Sequence, residues 1–329
     1  MTALASVEEL LDGLHVVTLP LNTRFRGVTE REVALVRGPA GWGEFAPFLE
    51  YGPTEAARWL DAAVEAAWDG WPQPVRDEVP VNATVPAVPA ADVATVLARY
   101  DGCTTAKVKV AERGQDLRDD LDRVAAVRDV MGPDARIRVD ANGGWSLTQA
   151  ADSLSLLAQY GLEYAEQPCA DVRDLARLRV ELAHQGVDVR VAADESIRKA
   201  EDPLEVARLR AADVIVVKVA PLGGVASALR VVEQCGLPAV VSSAIDSSVG
   251  LRAGVALAAA LPELHHACGL GTGALLAADV TGEPLLPVAG ALPVRDVAPD
   301  PRLLAAHAAS PAREHWWRER VRAAWAARV

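Results

Sequence analysis

The sequence predicts an α/β protein, a modified TIM-type (β/α)7β barrel with an N-terminal α+β capping domain completed by the C-terminal tail. Three observations lead to that class. From Val79 onward, short apolar runs alternate with amphipathic helical runs, the pattern of parallel strands joined by crossover helices. Eight such runs fit one closed barrel. Residues 1–79 differ in texture, and a chain of 329 residues has room for one barrel and one accessory unit. The expected division is a cap over 1–79 with part of 290–329, and a barrel over 80–289.

In the cap, Val16 to Leu21 and Glu32 to Arg37 alternate like antiparallel strands, Gly38 to Gly41 reads as a turn, and Thr54 to Trp68 has helical apolar spacing. Trp59 and Trp68 on that helix are expected to pack against the sheet. The barrel strands are expected at Val81–Val85, Ala106–Val110, Arg136–Asp140, Tyr164–Glu166, Arg190–Asp194, Val214–Val219, Ala239–Ser243 and a shorter piece near Ala267. Leu117–Val130, Leu147–Gln159 and Val225–Cys235 supply crossovers, and Ser248–Ala260 is apolar on nearly all sides, so it should be well buried. His315–Ala327 reads as a terminal helix packed through Trp316, Trp317 and Trp325.

Composition removes several function classes. A net charge of -12 repels a phosphate backbone, and outside the last helix the basic residues form no run, so no nucleic-acid partner is expected. The four cysteines are scattered without a C-x-x-C pair, which indicates neither a zinc knuckle nor a disulfide framework and suits a reducing cytoplasm. No signal peptide is read, and the most apolar stretch, Val249 to Leu261, is too short for a membrane span and contains Arg252. The oligomeric state is not legible; a monomer is compatible with the sequence.

In a barrel of this kind, catalytic side chains project from the C-terminal ends of the strands. There the sequence places Lys107 and Lys109, Arg138 and Asp140, Glu166, Asp194 and Lys218. From Lys109 to Asp140, Glu166, Asp194 and Lys218 the steps are 31, 26, 28 and 24 residues, each long enough for one strand, one helix and two loops. Strand alternation sets Lys107 with Lys109, and Arg138 with Asp140, on the face toward the barrel axis. Burying three carboxylates together without a counter-ion would be costly and one or more would protonate, so a cation is expected among them. Asp140, Glu166 and Asp194 are hard oxygen donors with no His or Cys beside them, which favours Mg2+, with Mn2+ as a substitute, over Zn2+. Repulsion from a dication and partial desolvation should hold the nearby lysines neutral, as a general base must be.

Lys107-Val108-Lys109, Asp140-Ala141-Asn142, Glu166-Gln167-Pro168, Asp194-Glu195-Ser196 and Val217-Lys218 occur in the order of a known signature. In these the chain resembles the muconate-lactonising-enzyme subgroup of the enolase superfamily. The short chain adds a likeness to the o-succinylbenzoate synthase family within it. So do Arg24-Phe25-Arg26-Gly27-Val28, Gly41-Trp42-Gly43-Glu44-Phe45-Ala46-Pro47, Ser242 to Ser248 and Gly269-Leu270-Gly271-Thr272-Gly273. That resemblance implies a small-molecule carboxylate substrate, a cyclohexadiene bearing a hydroxyl and a succinyl arm, dehydrated to an aromatic ring in menaquinone biosynthesis. It implies Lys109 as base and then acid, Lys218 as a charge supporting the enolate, and Lys107 as a residue that tunes Lys109. Arg138, Asn142, Glu195, Ser242, Ser243, Gly271, Thr272 and Arg24 are the expected substrate contacts or their supports, with Thr23 to Gly27 as a lid loop.

Alternatives stay open at this point. An N-acylamino acid racemase or dipeptide epimerase of the same subgroup would use Lys109 and Lys218 as opposed bases, and a barrel reduced to a binding module would keep the fold alone. Glu195 is as readable as a structural hydrogen-bonding residue, and Ser247 and Ser248 as helix N-caps. Gly269-x-Gly271-x-x-Ala274 matches a dinucleotide fingerprint only superficially, because no early βαβ unit carries it. The six histidines are expected in surface or packing roles.

Overall fold

In the computed structural model, which describes residues 6–25, 27–198 and 202–328, the cap begins as a three-stranded antiparallel sheet. Strands β1 (His15–Phe25), β2 (Val28–Gly38) and β3 (Gly41–Phe45) lie in sequence order. Val17, Leu19, Val33 and Leu35 share one face and Ala34, Val36 and Phe45 the other, and all are fully buried, so the sheet is covered on both sides. The helix Pro53–Val64 covers the face of Gly43 and Phe45, and its run ends in a π turn over Glu65–Asp69. Trp59 and Trp68 are buried there.

Close approach between sheet and helix is made possible by glycine. A Cβ placed on Gly43 would lie 2.0 Å from the carbonyl oxygen of Ala63 and 2.8 Å from its carbon. Both are backbone atoms, which cannot rotate aside. Gly43→Ala is therefore expected to force the helix off the sheet and cost about 1–3 kcal/mol or more, read as a lower midpoint in urea melts. An unchanged midpoint would refute this account of Gly43.

After β4 (Glu78–Pro80), the barrel runs through β5 (Ala83–Val85), β6 (Thr105–Lys109), β7 (Arg136–Asp140), β8 (Leu162–Glu166), β9 (Val191–Ala193), β10 (Val214–Lys218) and β11 (Ala239–Ser242). All seven are parallel and neighbour one another in chain order. An eighth position closes the ring: Cys268 bridges Val81 and Gly269 bridges Ser242, both parallel. The expected strand near Ala267 is thus reduced to two bridges. Between the strands lie the crossover helices, and Ser248–Ala260 is buried along most of its length.

The tail returns to the cap. Strand β12 (Ala291–Pro293) pairs with β4, and Ala308 bridges Val17. The last helix, Pro311–Ala326, buries Trp317 edge-on to Phe45 at 5.9 Å, while Arg313 and the Trp317 indole both donate to Glu32. Trp316 is partly exposed, so only one of the tandem tryptophans is a core residue.

The expected lid loop at Thr23 to Gly27 is for the most part strand. β1 continues to Phe25 and pairs with Val28 across the turn, after an irregularity in register beyond Pro20. Alternation carries through the segment, and the hydrogen-bonded ladder makes it a hairpin tip. Arg26 lies outside the described residues.

Candidate active site

Strand register brings the charged side chains to one level of the barrel. Lys109 is opposite Asp140, Asp140 opposite Glu166, and Lys218 opposite Ser242. Lys109 stands on the second barrel strand and Lys218 on the sixth of eight positions, so they face each other across the axis. Asp140 and Asp194 are fully buried and Glu166 nearly so.

Each acid lies against an amine. Lys107 Nζ donates to Glu166 at 2.8 and 3.0 Å and stands 3.2 Å from Asp140. Lys109 Nζ donates to Asp140 Oδ2 at 2.5 Å and to Asn142 Oδ1 at 2.6 Å, and Lys218 Nζ to Asp194 Oδ2 at 2.6 Å. With the oxygens turned onto amines, no three His, Cys, Asp or Glu side chains among the described residues are placed to hold one ion as they stand. The acids nevertheless converge. Burial, together with repulsion from Asp140 and Asp194, pushes the Glu166 carboxyl up to about 7 against the pull of Lys107. Such a set of hard oxygen donors fits a divalent cation better than it fits three bare acids. Glu195 adds a buried carboxylate oxygen without a hydrogen-bond partner beside Asp194.

Neutral lysines are the expectation for the site with its dication bound; the acids alone act the other way on Lys107. Burial pulls its pKa down, but Glu166 and Asp140 outweigh burial and raise it above the ordinary lysine value. Lys218 is lowered, with burial the larger effect against Asp194.

The other expected site residues divide. Asn142 bonds Lys109 and reaches Glu195 at 3.3 Å. Ser243 bonds Thr272 at 2.6 Å and the Gly269 carbonyl at 3.2 Å, and Ser242 lies 3.4 Å from that carbonyl. Gly271 opens a 3-10 turn in which a Cβ would meet the Asn82 carbonyl at 2.6 Å. Arg138 belongs to a deeper layer: it donates to Glu163 at 2.5 Å, Asn82 at 3.1 Å and the Ala267 carbonyl at 2.7 Å. Arg24 sits on the hairpin, outside the lysine cleft. Ser247 is the N-cap of Ser248–Ala260 and donates to Glu44, while Ser248 donates to Asp279 at 2.6 Å.

Three contributors were missed. Phe25, at the end of the 11-residue strand β1 and within the expected lid segment, places its ring 5.4 Å from Lys109 Nζ, a contact that no local pattern signals. Gln167 accepts from the Asp194 amide at 2.9 Å and donates to Ser196 at 2.8 Å, fixing the end of β9 against β8. Arg198 donates to Asp194 at 2.9 Å, an i, i+4 pairing that the spacing alone could have suggested. Backbone strain gathers here too. Of the six non-glycine residues with positive φ among the described residues, Ala111, Asn142, Gln167 and Ile245 follow strands at the mouth.

The comparisons with known proteins agree with this geometry. The model described as "Enolase C-terminal domain-like" matches residues 90–299, and "Enolase N-terminal domain-like" matches 16–67. An o-succinylbenzoate synthase of Thermobifida fusca is 60% identical over 94% of this chain and 95% of its own length. That of Mycobacterium leprae is 59% identical over 96% and 92%. The chain belongs to the o-succinylbenzoate synthase family of the enolase superfamily.

The fold likeness reaches beyond that family. A muconate lactonising enzyme of Pseudomonas fluorescens, solved with muconolactone, superposes with a TM-score of 0.77 at 21% identity, covering 90% of this chain and 98% of that one. The L-Ala-D/L-Glu epimerase of Bacillus subtilis gives 0.73 at 23%, covering 87% and 96%. At such identities the likeness is of fold alone. No helix among the described residues is long and apolar enough to cross a membrane.

Proposed function

We propose that this o-succinylbenzoate synthase family member dehydrates 2-succinyl-6-hydroxy-2,4-cyclohexadiene-1-carboxylate to 2-succinylbenzoate, a step of menaquinone biosynthesis, as a carbon–oxygen lyase. What carries the reading is the near full-length identity to o-succinylbenzoate synthases, supported by two lysines facing each other above three buried carboxylates.

Asp140, Glu166 and Asp194 would hold Mg2+, or Mn2+ in its place, with Glu195 beside them. When bound, the ion supplies positive charge that makes the proton alpha to the substrate carboxylate removable. Lys109 then accepts that proton at Nζ. The electron pair left on the ring expels the hydroxyl, which takes the proton back from Lys109 and leaves as water, so the ring becomes aromatic with no net change in the enzyme. Lys218, on the opposite face, contributes charge toward the electron-rich ring. Asn142 holds the Lys109 amine in place and Lys107 stays charged between Glu166 and Asp140, orienting both.

Between the lysines the cleft holds only about 30 Å³, well below the roughly 300 Å³ of ordinary small-molecule sites. Substrate can enter only as the bridges of Lys109 to Asp140 and of Lys218 to Asp194 give way. The test is direct: purified protein with Mg2+ and the cyclohexadiene, followed by NMR for the aromatic product. Loss of the diene with release of one water per product supports the reading. An intact diene, or racemisation of an N-acylamino acid with the diene untouched, would overturn it.

A further inference from the structure

A second cavity, of about 480 Å³, adjoins the lysine cleft on its outer side. The two share Phe25, Lys109 and Asn142 as a common wall. One side of the outer cavity is the hairpin, with Thr23 and Arg24; the other is the loop after β6, with Glu112 and Arg113. Its floor is braced. Gln115 donates to the Ala87 carbonyl at 3.0 Å, and the buried Arg123 donates to the Val88 carbonyl at 2.7 Å and the Lys109 carbonyl at 2.8 Å. The fixed end of β6 is thereby tied to the cavity that lies outside it.

Arg24 and Arg113 are exposed, and among the described residues neither forms an ion pair with an acid. Glu112 is the one acid among the described lining residues. In a chain of net charge -12, two unengaged guanidinium groups at the entrance to a site are a local positive field, of the kind that draws anions in. Guanidinium is also the side chain whose fork matches a carboxylate. This space opens from the lysine cleft past Phe25, and its volume lies in the range of ligand pockets.

We infer that the outer cavity receives the far carboxylate of the substrate's succinyl arm, with Arg24 and Arg113 as its charge partners. The inference rests on the dehydratase reading above and adds a specificity site outside the barrel. It is tested by steady-state kinetics of the Mg2+-loaded enzyme. Arg113→Ala is expected to lower kcat/KM about 10- to 100-fold, the worth of a hydrogen bond to a charged group, with most of the loss in KM. The double variant Arg24→Ala/Arg113→Ala should lose more. Glu112→Gln removes the repelling acid and is expected to lower KM severalfold. With the arm carboxylate converted to its methyl ester, the three variants and the parent should converge. An unchanged KM in the double variant, or the same ratios with the ester, would overturn the inference while dehydration by the parent still stood. A parent protein inert toward the diene would instead sink the reaction itself and this inference with it.

Discussion

Lys109→Ala is expected to lower dehydration by about three orders of magnitude or more, near the upper end of what one general acid–base group supplies, because the same amine takes the proton and returns it. Folding should survive. Lys109 lies at the barrel mouth, and Asp140, fully buried, keeps Lys107 at 3.2 Å after the change. The sharper variant is Lys109→Arg. It retains a cation that can reach Asp140, yet a guanidinium does not give up its proton at any working pH. If Lys109 served only as a counter-ion to Asp140, arginine would restore activity. If it is the base, arginine should be as inactive as alanine while the product still binds. Turnover of the arginine variant within tenfold of the parent would end the assignment, and a thermal melt in Mg2+ alongside shows that neither variant has merely unfolded.

Much of this site could be read from the chain because barrels place chemistry by strand order. Asp140, Glu166 and Lys218 end their strands, and Asp194 follows the end of β9 directly, as expected from the repeat spacing and from alternation alone. Expected and observed limits of the strand Arg136–Asp140 and the helix Ser248–Ala260 coincide, since alternating Ile137 and Val139 mark the one locally and the capping Ser247 the other. What escaped depends on distant parts of the chain. Phe25 reaches Lys109 from the cap, and Glu44 of the cap accepts from the Ser247 amide at the head of a barrel helix. No local pattern encodes such contacts. The charge state of Lys107 depends likewise on how near Glu166 and Asp140 come, a distance that sequence does not contain. The mouth-loop strain at Asn142, Gln167 and Ile245 is equally invisible, as none is a glycine.

Asp194→Asn tests the cation site. Asparagine keeps the size of the side chain and removes its charge, so Lys218 at 2.6 Å and Arg198 at 2.9 Å lose their anion and a metal loses one of three charged ligands. The Mg2+ concentration for half-maximal activity is expected to rise by at least about 10- to 100-fold, the range seen even for residues that only support ligands, and maximal turnover to fall with it. A second readout does not depend on activity. A ligand that binds only the folded state stabilises it by an amount that grows with the logarithm of its concentration over Kd, so Mg2+ should raise the melting temperature of the parent and hardly that of the variant. Glu163→Gln separates metal binding from ion pairing. Glu163 is held by Arg138 at 2.5 Å and by His266 at 2.9 Å, near the start of β8 and so at the other end of that strand from Glu166. Its loss should lower the melting temperature but leave the Mg2+-induced rise intact. Were Asp194 only a structural partner of Lys218 and Arg198, the two variants would behave alike: both less stable, both with the parent's response to Mg2+. A difference confined to Asp194 is what a cation held among Asp140, Glu166 and Asp194 requires.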